Sequence, residues 1–429
     1  MQEPSPQDVK QPERPKLLEI MGPGLITGAS DDDPSGIGTY AQAGAQFGFG
    51  LAWTLVFSYP LMAAIQEISA RIGRVTGRGI AGNLKRYYPP WLLNGIVALL
   101  VLANVINIGA DIGAMGGALQ LLIGGPQLLY VVAFAALSVL LEVFVRYSRY
   151  VSVLKYLTLA LLAYVATVFV VGVPWGEVVW SILLPPFSLD RNYVLLVVAV
   201  LGTTISPYLF FWQAEEEVEE EQENPKKSAL IDAPAEAPSE FFRIRIDTYV
   251  GMAFSNAVAL FIVLTTAATL NAHGITDIQT SAQAAQALRP IAGPFAFVLF
   301  AAGIIGTGML ALPVLAGSAA YALGEARNWS VGLAKTFDRA KLFYGAIAVA
   351  TLIGVAMNFL GIDPIKALFA SAVINGIVSI PVMIAMMLMT HRKDVMGEFT
   401  LPLVLTILGW AATAAMTIAA LVLAIASLV

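Results

Sequence analysis

Apolar residues run in long blocks separated by short polar stretches that carry most of the charge. Blocks of roughly 17–25 apolar residues match the length of a helix crossing the hydrocarbon core of a bilayer. They predict eleven spans, near residues 20–45, 48–70, 92–122, 127–145, 151–173, 192–213, 248–270, 292–323, 342–360, 365–389 and 400–428. The pattern predicts an all-α polytopic membrane protein, with a polar segment over 1–19 and a single transmembrane domain over 20–429. One long polar insertion, the acidic loop 214–245, interrupts the alternation. Its first part, EEEVEEEQE, reads either as a solvated helix end or as an acidic vestibule, and ENPKKSALIDAPAEAPSE has the composition of a flexible linker.

Two blocks are broken in the middle. The first carries Asp31, Asp32, Asp33 and Pro34 where a spanning helix is deepest. A charged side chain at that depth costs at least several kcal/mol, so such residues face a cavity, a partner or a transported ion. The sixth carries Thr203, Thr204, Ser206 and Pro207. Pro207 lacks a backbone donor and disfavours helical geometry at Ser206, so the helix is expected to open there. Spans 1 and 6 are five apart, hence oppositely oriented, as the first members of two inverted five-helix repeats would be. Paired broken helices in corresponding positions point to a transport site at the midplane. The acids imply that the passenger is a cation.

Charge fixes the expected orientation. With the N-terminus cytoplasmic, only Arg191, Arg289 and Lys366 of the 24 Lys and Arg fall on the outer side, and the C-terminus lies outside. The first sixteen residues are polar and Pro-rich and read as no signal peptide, and the compact loops suggest a bacterial inner (plasma) membrane.

Composition then narrows the chemistry. The chain of 429 residues is 58% hydrophobic and only 12% charged, with a mean hydropathy of +0.76. A net charge of −5, much of it in one acidic run, gives nucleic acid no surface to bind. There is no Cys, which removes disulfides, thiolate metal sites and Cys nucleophiles, and both His, His273 and His391, lie outside the apolar blocks. Without HExxH or GxSxG, the expectation is a chain that is not an enzyme.

From GPGLITGASDDDPSGIGTYAQAGAQFG in span 1 to its last helices, the chain resembles the natural resistance-associated macrophage protein (NRAMP) family of divalent metal transporters. The resemblance implies a leucine-transporter-like fold, with repeat 1 at about 20–173, repeat 2 at about 192–389, and span 11 at about 400–428. It implies a manganese- or iron-type ion held between broken spans 1 and 6, usually with proton coupling. The metal is then the transported substrate, with no cofactor, and the partners are that ion and the lipid bilayer. Carried over by position, the family's aspartate falls on Asp33, and its two backbone carbonyls fall on Ser30 and Thr203.

Departures from the family pattern matter as much. The site asparagine is replaced by Gly36, the metal-binding methionine by Ser206, and the histidine after proline by Tyr208. A thioether helps select transition metals, whereas carboxylate, carbonyl, hydroxyl and water suit magnesium and manganese. Smaller side chains also predict a roomier site. The pattern is similar to the NRAMP-related magnesium transporters and favours magnesium and manganese over the iron and manganese carriers. Asp32 or Asp31 is expected to touch the hydrated ion, without a choice between them. Asn375 in span 10 is the nearest replacement for a family glutamine, although a Gly-flanked Asn also serves interhelical hydrogen bonding. Asp111 in span 3 aligns with an acid of the family's proton route, but the next acid is Ala114, so voltage-driven entry with weak or no proton coupling is favoured. Glu67, four residues before Arg71, reads as an inner-end ion pair or a gate element. The alternatives are a proton-coupled manganese and iron symporter and, from another class, a sodium-coupled amino-acid carrier of the same fold.

Overall fold

The computed structural model describes residues 23–145, 159–224 and 227–428. The polar segment 1–19, the first residues of span 1 and residues 151–158 of span 5 lie outside the described residues. Among those described, every regular element is helical.

Span 1 comes as two helices, Pro23–Asp31 and Pro34–Phe47. The second starts with Pro at its first position, where the missing N–H costs nothing, and Asp33 caps it by accepting the Gly36 N–H at 2.7 Å. A turn at Gly48–Leu51 follows, entered through Gly48 at φ 57°, which favours glycine. Span 2 is Ala52–Thr76, span 3 Pro90–Ile123 and span 4 Gln127–Phe144. Span 5 is described as far as Val170 and then bends by 110° into Trp175–Leu183. Span 6 is again two helices, Arg191–Thr204 and Pro207–Glu223. Spans 7 to 11 are Ala237–Thr269, Ala296–Arg327, Lys341–Asn358, Pro364–Thr390 and Leu403–Ala426.

Nine helical stretches among the described residues are long and apolar enough to cross a membrane, or ten with the bent pair of span 5. One of them, Pro34–Thr76, has 43 residues. At 1.5 Å per residue it would reach about 65 Å if straight, roughly twice the hydrocarbon thickness. The Gly48 turn divides it into the second half of span 1 and span 2, which reconciles the count with the eleven expected spans.

The halves of the broken spans pair crosswise. Pro23–Asp31 packs beside Pro207–Glu223, and Pro34–Phe47 beside Arg191–Thr204. Thr27 donates to Gln213 at 2.6 Å across the first pair, and the Tyr40 and Thr203 hydroxyls bond at 3.0 Å across the second. Spans 1 and 6 therefore run in opposite directions, as their odd separation requires. Span 7 backs span 1 at van der Waals contact. A β-carbon on Gly28 would lie 2.4 Å from the Gly251 carbonyl oxygen, so only glycine permits this approach.

The acidic run is a helix end, as one reading expected, but it is buried at its start and becomes exposed only toward Glu223. Span 6 continues as helix to Glu223, span 7 begins at Ala237, and Glu215 and Glu217 are buried. Arg243 pairs with Glu217 and bonds Glu240 at 3.1 Å, while Arg74 reaches Glu221, Glu236 and Glu240 at 3.4, 2.9 and 3.2 Å. Nor does the connection behave as a linker: the Leu230 and Ile231 N–H groups bond the Arg74 and Val75 carbonyls at 3.2 Å each. Basic side chains from spans 2 and 7 supply the counter-charge that the local sequence lacks. Glu67 pairs with Arg71 at 2.7 Å, as the spacing suggested, and is fully buried.

Candidate functional site

A broken helix leaves its last four carbonyls without intrahelical donors and turns the negative end of its dipole toward the gap. Ser30 lies in the last turn of Pro23–Asp31 and Thr203 in the last turn of Arg191–Thr204, and both are buried. The carbonyls singled out by the resemblance therefore belong to two cation-favouring helix ends. The Thr203 carbonyl accepts from the Ser206 hydroxyl at 2.8 Å, and Ser206 also donates to the Gly202 carbonyl at 2.7 Å. Ser206 thus closes its own break in this conformation.

The three acids are almost completely buried but turn in different directions. Asp33 Oδ1 accepts from the Gly36 N–H and from the Ser35 hydroxyl at 2.9 Å. Its Oδ2 accepts from Asn107 Nδ2 at 3.0 Å and from the Tyr208 hydroxyl at 3.3 Å. Asp33 therefore ties span 1 to span 3 and to the second half of span 6. Asp31 and Asp32 turn instead toward span 7, where the Ser255 hydroxyl donates to Asp31 Oδ2 at 2.5 Å and lies 3.3 Å from Asp32 Oδ1. Among the described residues no three His, Asp or Glu side chains form a metal cage.

Asn375 is fully buried with neither amide atom hydrogen-bonded. Its neighbour Gly376 meets Gly202, whose β-carbon would lie 2.6 Å from the Gly376 nitrogen. This contact sets Asn375 at the height of the span 6 break. Asp111 is buried near the Ser35 backbone and Asp33.

Space vacated by the family's larger side chains is partly refilled. A β-carbon on Gly36 would meet the Tyr40 ring at 3.3 Å, the Asp31 carbonyl oxygen at 3.4 Å and Asp33 Oδ1 at 3.4 Å. On the side of span 10, a cavity bordered by Ile37, Ala41 and Leu368 holds only about 10 Å³, room for roughly one water. The sequence reading missed Tyr40 and Ser255, noted Asn107 in the apolar context of span 3 without giving it a role, and treated Tyr208 only as a lost histidine. Asn107 had a usable signal, an amide in an apolar block four residues before Asp111 and so on the same helix face.

Comparison with known proteins gives one consistent result. Residues 24–426 match the family described as Natural resistance-associated macrophage protein-like. A divalent metal cation transporter MntH of Burkholderia ambifaria is 24% identical over 408 residues, covering 92% of this chain and 86% of that protein. The MntH of Yersinia pestis is 25% identical over 403 residues, covering 91% and 90%. A crystal structure of the Eremococcus coleocola manganese transporter superposes with a TM-score of 0.75 at 16% identity, covering 97% of this chain and 89% of that one. That likeness is one of fold, a leucine-transporter-like arrangement of two inverted five-helix repeats, spans 1–5 and 6–10, followed by span 11. The match across residues 24–426, laid over two crosswise-paired broken helices and the acids between them, means that the chain belongs to the Natural resistance-associated macrophage protein-like family.

Proposed function

We propose that this chain imports divalent metal cations, magnesium and manganese foremost, by alternating access around a site between the breaks of spans 1 and 6. The relatives named as divalent metal cation transporters support the class of passenger. One observation carries the reading: two half-helix C-termini and three buried acids lie at the crosswise pair of broken spans, and none of the acids is in an ion pair with a basic side chain among the described residues. A sodium-coupled amino-acid carrier would have to place a substrate carboxylate against those acids. Asp33, the Ser30 and Thr203 carbonyls, Ser206 and Asn375 supply the oxygens, and water completes the shell. This hard set, without a thioether, suits magnesium and manganese.

Entry is driven mainly by the membrane potential. At 100 mV the potential is worth about 4.6 kcal/mol for a doubly charged ion, more than a thousandfold in concentration. The N-terminus is cytoplasmic and the host is a bacterial plasma membrane. One feature favours the proton-coupled alternative: Asp111 lies buried beside Asp33 and the Ser35 backbone. Uptake of Mg²⁺ and Mn²⁺ into proteoliposomes with an internal pH dye tests both. The expected result is uptake of both ions without acidification, abolished by Asp33→Ala. Manganese uptake with acidification and magnesium excluded would establish the coupled alternative, and full uptake by Asp33→Ala would remove the site itself.

A further inference from the structure

The oxygens of Asp33 each accept two hydrogen bonds, yet Asp31 and Asp32, two residues and one residue earlier, are bound among the described residues by a single hydroxyl between them. Ser255 has one hydrogen to offer, and it lies 2.5 Å from Asp31 Oδ2 and 3.3 Å from Asp32 Oδ1. Oxygens of Asp31 and Asp32 thus meet the same span 7 hydroxyl, only one of the two contacts can be a full hydrogen bond, and among the described residues Asp31 Oδ1 is buried without a partner. For an ion bound at 2.0–2.1 Å in octahedral geometry, adjacent ligand oxygens stand about 2.9 Å apart. The observed separations bracket that value.

The position of Ser255 is not accidental to the packing. The backbones of Gly28 and Gly251 touch one helical turn earlier on both spans. Ser255 follows Gly251 by four residues, and Asp31 and Asp32 follow Gly28 by three and four, so the same helix faces that make contact at the glycines carry these side chains.

We propose that Asp31, Asp32 and Ser255 form a second subsite for a partly hydrated divalent cation, on the span 7 side of the span 1 break. Two carboxylate oxygens and one neutral hydroxyl supply the protein ligands, and Asp33 keeps its bonds to Asn107 and Tyr208 while this subsite is filled. The inference rests on the reading of the chain as a divalent cation transporter, but binding and transport separate the two. The ligand set is hard, so it takes magnesium and manganese and holds cadmium poorly.

The absence of cysteine makes a direct test available. Ser255→Cys places a soft thiolate where the hydroxyl stands, and Ser427→Cys, at the end of span 11, is the control. In purified protein, Ser255→Cys is expected to bind Cd²⁺ at least tenfold more tightly than wild type, with Ser427→Cys unchanged, and Cd²⁺ is expected to inhibit its Mn²⁺ uptake correspondingly more strongly. In an Asp33→Asn background, Mn²⁺ binding measured by electron paramagnetic resonance should persist, and adding Asp31→Asn and Asp32→Asn should abolish it. Unchanged Cd²⁺ affinity in Ser255→Cys overturns the subsite. If that variant does not fold, Ser255→Ala decides: a fivefold or greater weakening of Mn²⁺ binding in the Asp33→Asn background supports the subsite, and wild-type affinity there overturns it. Wild-type protein that moves no divalent ion would instead overturn the function, whatever the binding results.

Discussion

Both oxygens of Asp33 are already engaged, so an ion that takes this carboxylate must displace or share a donor. The longest of the four bonds comes from the Tyr208 hydroxyl, at 3.3 Å. Removing that competitor in Tyr208→Phe should tighten metal binding by about 1 kcal/mol, the net worth of an ordinary hydrogen bond, and lower the KM for Mn²⁺ about fivefold. A raised KM would show that Tyr208 helps to hold the ion instead. Asp33 was legible because proline follows it and a helix must restart there. Tyr40 and Ser255 were not, because their bonding partners lie 163 and 224 residues away in the chain. A short-range pattern offers no means of pairing them. Ser206 shows the same limit: its residue type predicted a hard ligand, but a hydroxyl beside free carbonyls bonds its own helix first.

Elements followed the apolar blocks closely because a spanning helix satisfies its own backbone, so block length alone specifies it. The failures lie where an element depends on distant charge. Helix Ile80–Tyr87 fell between predicted spans, and its N-terminal donors at Gly79 and Gly82 bond the Glu325 carboxylate at 2.8 and 2.7 Å. EEEVEEEQE does continue span 6 as a helix end, as one reading expected; it opposes its own helix by local rules, and the unforeseen part is that Arg74 and Arg243 hold it in place. Arg74 is buried against three glutamates, two of which are themselves only slightly exposed. Arg74→Gln strands those carboxylates and should cost about 3 kcal/mol, the lower end for breaking a buried pair because Glu236 remains open to solvent. The check is a clear fall in Tm in detergent, and an unchanged Tm would mean that the glutamates relax into water. At the span 6–span 10 contact the limit is steric. Gly202→Ala puts a carbon 2.1 Å from the Ala372 carbonyl oxygen and should destabilise by about 1–3 kcal/mol through overpacking, read in the same melt.

Across the whole molecule, the crosswise pairing of spans 1 and 6 places one clasp on each side of the breaks. Thr27–Gln213 joins the halves on one side and Tyr40–Thr203 on the other, and both are made at once. Alternating access requires the halves to part on one side at a time, and the cost of breaking a clasp sets how often that end is open. Tyr40→Phe removes one of the two hydroxyls at its end while leaving the ring that lies against Gly36. At about 1 kcal/mol for the lost bond, the open population at that end should rise about fivefold. Ala41 borders the small cavity beside this clasp, and because the chain has no native cysteine, Ala41→Cys is a unique reporter. A membrane-impermeant maleimide should label Ala41→Cys about fivefold faster when Tyr40→Phe is also present, from the face predicted to be outside. Adding Thr27→Val should shift the balance back toward the other end and slow the labelling. Equal rates with and without Tyr40→Phe would show that the Tyr40–Thr203 bond does not limit opening.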